Sequence, residues 1–176
     1  PGPAPERMDT EGDGPFDRLV VENVMLVNGL GAPPRGPVSI VISGDTIAQI
    51  LSYPPKPVPG EHRVDARGMT ALPGFIDAHV HIANPYEGVV GPITPPEYVF
   101  KLWLAHGITT VRDTGSVMGL DWTVSHAARA ARNEIVAPDI VPFAMFPGTS
   151  LAQFEISDEQ GARDWGRPVK ARGATG

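Results

Sequence analysis

The sequence predicts an α/β protein in which a β-rich segment precedes alternating strands and helices. The first observation is a series of short β-branched runs between residues 16 and 70, with no helical periodicity among them. The second is the order strand, loop, helix, strand, helix, strand after residue 70, with a further helical pattern at the end. Strands joined by helices run parallel through right-handed crossovers, so this part predicts either a barrel or a doubly wound sheet.

The first two segments differ in composition and in hydrophobic pattern. Residues 1–15 are polar and rich in proline and glycine, which predicts a flexible tail. Residues 16–70 predict a small all-β, sandwich-like module of three to five strands, in which Ser43-Gly44-Asp45 joins the runs 38–42 and 46–51 as a hairpin. So few strands leave exposed edges and a thin core. We therefore expect this module to depend on other strands for its stability.

Residues 71–176 carry the alternating pattern. The stretch ALPGFIDAHVHI, residues 71–82, predicts one buried strand with two histidines at its far end. Helices are predicted from Pro95 or Pro96 to Gly107 and over 120–135, with strands at 108–113 and from 139 onward, where Pro142 weakens the pattern. Ser157 or Asp158 is the expected cap of a last helix over 156–173.

Composition argues against several classes of function. The net charge is −6 and no basic run occurs, which disfavours binding to nucleic acid or to an anionic membrane. There is no cysteine, so a metal would be held by histidine, carboxylate or a modified lysine. No apolar run approaches the roughly 18 residues of a membrane span, and the N-terminus lacks a signal pattern. We expect a cytoplasmic protein, unless a signal has already been removed.

The chemistry is expected where the strands end. His79 and His81 lie two residues apart, so a strand projects both to the same side, with Asp77 deeper on that face. Two such imidazoles can offer lone pairs to one metal ion. The alternative, two ordinary histidines on a half-exposed strand, stays open. Asp113 ends the next strand, either as a turn cap or as a neighbour of the site, and residues 146–148 form the third such corner.

The other histidines, His62, His106 and His126, lie in a loop and on helices, and we interpret them as structural. Phosphate-binding glycine loops and a serine nucleophile elbow are absent from the sequence.

Two motifs carry a resemblance to a known family. VDARGMTALPGFIDAHVH, followed by AHGITTVRDTG, closely resembles the amidohydrolase superfamily, in particular its Xaa-Pro dipeptidase-like and imidazolonepropionase-like branch. The resemblance covers residues of about 18 to 150. It implies a β-module followed by a (β/α)8 TIM barrel whose first strand ends in a metal-binding His-x-His. This chain would then be the N-terminal part of that fold, with residues 71–176 forming the first three βα units.

The resemblance also implies roles for individual residues. His79 and His81 become ligands of a divalent metal, most simply zinc, as one or two ions, and Asp77 and Asp113 become neighbours that support them. The implied reaction is hydrolysis of an amide, peptide or other C–N bond in a small-molecule or dipeptide-like substrate, by metal-activated water attacking a carbonyl. Asp77 favours amide or peptide hydrolysis over the deaminases of the same superfamily, which remain the alternative.

The chain departs from the family in length. A (β/α)8 barrel needs roughly 250 residues, and the part from residue 71 onward has less than half of that. The family's bridging lysine, later histidines and general-base aspartate have no match, and Lys170 lies in a helical pattern. We therefore expect no catalytic residue in this chain, a complementary C-terminal polypeptide that completes the barrel, and a higher oligomer. Two competing hypotheses are a non-catalytic metal-binding or scaffold subunit and a doubly wound binding protein with structural histidines.

Overall fold

The computed structural model describes residues 2–83, 91–116, 118–145 and 156–176. The fold is mixed α/β and separates into a sheet unit, Gly12–Pro73, and an α/β unit, which joins Pro1–Glu11 to Gly74–Gly176. In chain order the elements are β1 (Arg18–Leu26), β2 (Arg35–Ser43), β3 (Thr46–Leu51), β4 (His62–Asp65), β5 (Thr70–Ala71), β6 (Phe75–Val80), α1 (Pro96–Ala105), β7 (Ile108–Asp113), α2 (Leu120–Ala131), β8 (Asp139–Pro142) and α3 (Glu159–Ala171). None of the helices in the described ranges has the length and apolar character that crossing a membrane requires.

The sheet unit contains one five-stranded sheet. Its order is β3-β2-β1-β4, and β5 also pairs with β1. The β2 and β3 strands are antiparallel and meet at Ser43 and Thr46, which confirms the predicted hairpin. Buried aliphatic side chains of β1 and β2 pack with Ala66 to form a small core. Most of β3 is exposed to solvent, so this sheet presents an open edge, as expected for so short a module.

The α/β unit is built on a three-stranded parallel sheet in the order β6-β7-β8. This order confirms the parallel strands predicted from the alternating pattern. The core of the unit includes Val80, Phe100, Val111 and Ile140, with Trp103 and Trp122 packed against it. Helix α1 begins with Pro96 at its first position and Gly107 follows its C-cap, as predicted.

The strand predicted over residues 71–82 requires a correction. Ala71 belongs to β5 in one sheet, and Phe75–Val80 forms β6 in the other, with Leu72, Pro73 and Gly74 between them. The prediction that this strand is buried is also wrong for most of β6, since Phe75 is 61% and Ile76 is 70% exposed. The physical reason is that β6 lies at the edge of the sheet in the described part of the chain, with β7 as its one neighbour there. A continuous apolar run does not reveal that difference.

The C-terminal residues lie against the other edge of this sheet. Thr175 donates its backbone N–H to the carbonyl of Pro142 at 2.7 Å, and the N–H of Ala144 donates to the carbonyl of Gly176 at 3.1 Å. Strand β8 ends at Pro142, where the sequence predicts a weakened pattern. Thr175 and Gly176 therefore pair with the backbone at the end of β8 and just beyond it.

Residues of the N-terminal segment also contact the α/β unit. The N–H of Ala4 donates to Nε2 of His126 at 3.0 Å, and Arg129 donates to the Ala4 carbonyl at 2.7 Å. Arg7 donates its backbone N–H to Glu134, and Glu11 pairs with Lys101. Composition alone, which predicts a flexible tail over residues 1–15, does not show these contacts, among whose partners His126 is buried. The bounds of the three predicted segments stay a prediction.

Candidate functional site

Two histidine rings meet at the carboxyl end of β6. The ring centroids of His79 and His81 are 5.5 Å apart, with an angle of 77° between the ring planes. Two imidazoles that bind one tetrahedral ion hold their centroids about 5 Å apart, because each ring nitrogen lies about 2 Å from the metal. The spacing of the two rings therefore fits a shared metal ion.

An irregularity in β6 lies beside the two rings. Asp77 is in register with Val111 and Val80 with Asp113, so β6 advances three residues while β7 advances two. Such a bulge re-aims side chains, and bulges are frequent beside active sites. The strict strand alternation assumed in the sequence prediction is therefore interrupted between Asp77 and Val80, although the two rings still lie side by side.

The ring of His81 is held by the backbone of the turn that follows β7. Nδ1 of His81 lies 2.7 Å from the carbonyl oxygen of Gly115. A carbonyl can only accept a hydrogen bond, so Nδ1 carries the proton and Nε2 presents its lone pair. A histidine whose other nitrogen donates to a carbonyl is the usual arrangement for a metal ligand.

Asp113 is the buried acid of the site. It ends β7 and is completely shielded from solvent. Its Oδ2 accepts from the hydroxyl of Thr123 at 2.9 Å, and its Oδ1 accepts from the N–H of Gly115 at 3.2 Å. Burial raises the pKa of the Asp113 carboxyl, while the hydrogen bonds from Thr123, Gly115 and Ile82 and the nearby His81 oppose that shift.

Gly115 has no room for a side chain. A Cβ atom at this position would lie 2.7 Å from Cβ and 2.8 Å from Cα of Met145, and the backbone φ is +127°. Both the close approach and the positive φ favour glycine. The Gly115 carbonyl that holds His81 therefore belongs to a backbone segment in close contact with Met145, which follows β8 in the chain.

The remaining candidate residues take different roles. Asp77 turns its Oδ1 toward the backbone N–H of His79 at 3.2 Å, so it supports the chain that carries the ring. His106 contacts the Leu102 carbonyl at the end of α1, His62 stacks on Phe16, and His126 is buried in the core. The corner at 146–148, which the sequence associates with the site, lies outside the described residues.

The donor set is incomplete in the part of the chain that the structure describes. No group of three or more His, Asp or Glu side chains in the described ranges could hold a metal ion together. A catalytic zinc takes about three protein ligands, so two histidines fit such an ion without satisfying it. Lys170 lies on α3, as its helical pattern predicts.

The sequence predicts the histidine pair and Asp113 as residues of the site, and that assignment stays a prediction; it does not single out Gly115 or Thr123. The contact between His81 and Gly115 spans 34 residues, and that between Thr123 and Asp113 spans 10. A glycine carbonyl and a helical threonine give no motif signal of their own. The ending of β7 in Asp-Thr-Gly was the available indication, since Asp followed by a glycine two residues later is typical of a turn closed by the carboxylate.

Comparison with curated proteins finds adenine deaminases. The chain is 34% identical over 150 residues to adenine deaminase 2 of Rhizobium etli, a match that covers 80% of this chain and 23% of that protein. It is 36% identical over 136 residues to adenine deaminase of Edwardsiella ictaluri, covering 72% of this chain and 21% of that protein. The chain thus spans under a quarter of the length of these relatives. No family model matches the chain.

Comparison with solved structures finds the same fold in dipeptidases. A Xaa-Pro dipeptidase with bound methionine in the active site matches with a TM-score of 0.73 at 21% identity, over 90% of this chain and 46% of that one. A putative prolidase from Bifidobacterium longum matches with a TM-score of 0.72 at 21% identity, over 90% of this chain and 39% of that one. At these identities the likeness concerns the fold.

Proposed function

Because this chain belongs to the amidohydrolase superfamily and corresponds to its N-terminal portion, we propose that it forms part of a metal-dependent hydrolase of amide, peptide or other C–N bonds. One observation carries the proposal. The rings of His79 and His81 lie side by side at a strand end, and the hydrogen bond from Nδ1 of His81 leaves Nε2 for a ligand bond among the described residues. Asp77 and Asp113 support these two rings through the backbone.

The chemistry of the site depends on a divalent metal, which we propose to be zinc, as one or two ions. When bound, a divalent metal supplies a Lewis acid that polarises a carbonyl and makes water acidic enough to react near neutral pH. Two neutral imidazoles and no thiolate form a borderline donor set that suits zinc. The residues of this chain hold the ion, and the groups that move protons are expected on the remainder of the enzyme.

The fold of the complete enzyme is the second part of the proposal. We propose that β6, β7 and β8 are the first strands of a TIM barrel and that the five-stranded sheet is one layer of a sandwich-like all-β module. Support comes from the edges of the three-stranded sheet: β6 exposes Phe75 and Ile76, and Thr175 and Gly176 hydrogen-bond to the backbone at the end of β8 and just beyond it. Further polypeptide, a C-terminal part of the same protein or a separate subunit, would supply the remaining strands and ligands.

Several properties of the whole protein rest on the same reasoning. The substrate is proposed to be a small molecule of dipeptide-like size, and the assembly a higher oligomer. A cytoplasmic location is proposed, in keeping with the absence of cysteine, and so of disulfides, from the sequence. No nucleic-acid or membrane partner is proposed, in keeping with the net charge of −6.

The test is the metal content of the assembled protein, purified with all polypeptides that accompany it. His79→Ala combined with His81→Ala should lower bound zinc to background by elemental analysis, because both ring donors are lost. His106→Ala is the matched control, since this exposed histidine contacts Leu102 at the end of α1 and lies outside the site. Unchanged zinc in the double variant would refute the assignment.

A deaminase of the same superfamily is the second candidate function. The specific observation in its favour is that the curated relatives of 34% and 36% identity are adenine deaminases. The two candidates differ in product. Ammonia released from adenine would support deamination, whereas proline released from an Xaa-Pro dipeptide would support peptide hydrolysis. Activity on neither substrate, with zinc bound, would favour a non-catalytic scaffold subunit.

A further inference from the structure

A chain of hydrogen bonds leads from helix α2 to the ring of His81. The hydroxyl of Thr123 donates to Oδ2 of Asp113, and Oδ1 of Asp113 accepts from the N–H of Gly115. The carbonyl of Gly115 then accepts from Nδ1 of His81 at 2.7 Å. Both oxygens of the buried Asp113 carboxylate therefore accept hydrogen bonds. One of them, Oδ1, holds Gly115, whose carbonyl contacts His81.

The geometry gives this chain of contacts little freedom. Thr123 and Asp113 are both completely buried, one on α2 and the other at the end of β7. Gly115 is confined on its other side by Met145, whose Cα would lie 2.8 Å from an added Cβ. The Gly115 carbonyl therefore has a defined direction, and the ring of His81 must present an N–H to it.

We propose that Asp113, anchored by Thr123, is a positioning residue that acts through Gly115 to hold His81 as its Nδ1–H tautomer, with Nε2 directed at the metal. The inference rests on the proposed function for the role of the metal, but the tautomer itself is a property of the metal-free protein. Groups that orient a ligating histidine in this way typically change metal affinity by about 10–100-fold when they are removed.

A merely structural role for Asp113 makes a different prediction. If the carboxylate only closed the turn after β7, its loss would lower stability without changing the protonated nitrogen of His81. The decisive readout is therefore the nitrogen-15 NMR signature of His81, which separates a protonated Nδ1 from a protonated Nε2. A second readout is the zinc dissociation constant, measured by competition with a chelator.

The experiment compares four variants of the assembled protein. Asp113→Ala removes the acceptor for Gly115, so we expect His81 to populate both tautomers and the zinc dissociation constant to rise by about 10–100-fold. Asp113→Asn keeps a side-chain oxygen for the Gly115 N–H, so it should retain the tautomer and most of the affinity. Thr123→Val removes the anchor at nearly constant volume and should have an intermediate effect. Asp121→Ala, at an exposed aspartate of α2 paired with Arg172, is the control and should change neither readout.

The outcomes separate this inference from the proposed function. A wild-type tautomer and affinity in a folded Asp113→Ala protein would overturn the positioning role while leaving the metal site intact. If wild-type protein binds no zinc, the proposed function fails, and the tautomer comparison alone decides the positioning role. If Asp113→Ala does not fold, the tautomer of His81 in Asp113→Asn and Thr123→Val decides the positioning role. Loss of the Nδ1–H tautomer in Thr123→Val but not in Asp113→Asn supports that role. An unchanged tautomer in Thr123→Val overturns it.

Discussion

At the scale of single residues, Gly74 shows how a short motif, Pro-Gly-Phe, is explained by the close approach of two strands. It stands immediately before β6, and a Cβ atom there would lie 2.0 Å from Oγ1 and 2.8 Å from Cβ of Thr109. Rotation about the Cα–Cβ bond of Thr109 can move Oγ1 but not Cβ, which is fixed to the backbone of β7, so the 2.8 Å contact remains. The glycine of the Pro-Gly-Phe sequence is therefore required by the spacing of β6 and β7.

This contact leads to a prediction about stability. Gly74→Ala should destabilise the α/β unit by about 1–3 kcal/mol, the usual cost of an overpacked contact. Adding Thr109→Gly, which removes the opposing side chain, should recover part of that loss by comparison with Thr109→Gly alone. Chemical denaturation of the four proteins of this cycle measures the coupling. Strict additivity of the two changes would contradict the proposed clash.

His126 provides a second prediction at this scale, concerning pH. Nδ1 donates to the Trp122 carbonyl and Nε2 accepts from Ala4, so the ring is neutral in the fold. Burial lowers the pKa of His126 below its ordinary value of 6.5, and the nearby Arg129 lowers it further, although the Trp122 contact opposes the shift. The unfolded chain therefore takes up the proton first as the pH falls.

The stabilising contribution of His126 should be complete above about pH 6.5 and should decline as the pH falls from there toward the pKa of the folded state, with a slope of at most about 1.4 kcal/mol per pH unit. The free energy of unfolding between about pH 5 and pH 8 measures this decline. His126→Gln should remove this component of the pH dependence. The same slope in the variant would show that another group is responsible.

At the scale of elements, the start of α3 resolves a choice that the sequence leaves open. Asp158, and not Ser157, is the N-cap, and its side chain accepts from the N–H of Gly161 at 2.7 Å. Asp158→Ala should cost about 1 kcal/mol, whereas Ser157→Ala, the adjacent control, should cost little. Thermal unfolding followed by circular dichroism measures both. Equal losses in the two variants would contradict the cap assignment.

Strand β6 shows how much of an element can be predicted and why the rest cannot. The pattern of residues 71–82 predicts a strand ending in two histidines, and β6 confirms the strand and its direction beside β7. The break after Ala71 and the exposure of Ile76 depend on which strands pair with each other. A local sequence pattern carries no information about that pairing. The same holds for the site: His79 and His81 follow from spacing, whereas the contact from Gly115 depends on how β7 ends.

At the scale of the whole molecule, the exposed side chains of β6 lead to a prediction about assembly. If Phe75 and Ile76 are covered by further strands in the complete protein, Ile76→Glu should place a charge in a buried contact and weaken assembly. Size-exclusion chromatography of the purified protein should then show a smaller species or loss of a co-purifying polypeptide. Leu30→Glu, at a position that is 85% exposed in a loop of the sheet unit, is the control. An unchanged elution volume for Ile76→Glu would argue against coverage of this edge.

The contact between Gly115 and Met145 also sets a rule for laboratory evolution of the strand-end loops. Any side chain introduced at position 115 would meet the backbone of residue 145, since the Cα and N atoms of Met145 lie 2.8 and 3.0 Å from the added Cβ. Replacing Met145 cannot relieve this overlap, because those two atoms belong to every residue. A combinatorial library of these loops would therefore keep glycine at 115, whatever residue stands at 145.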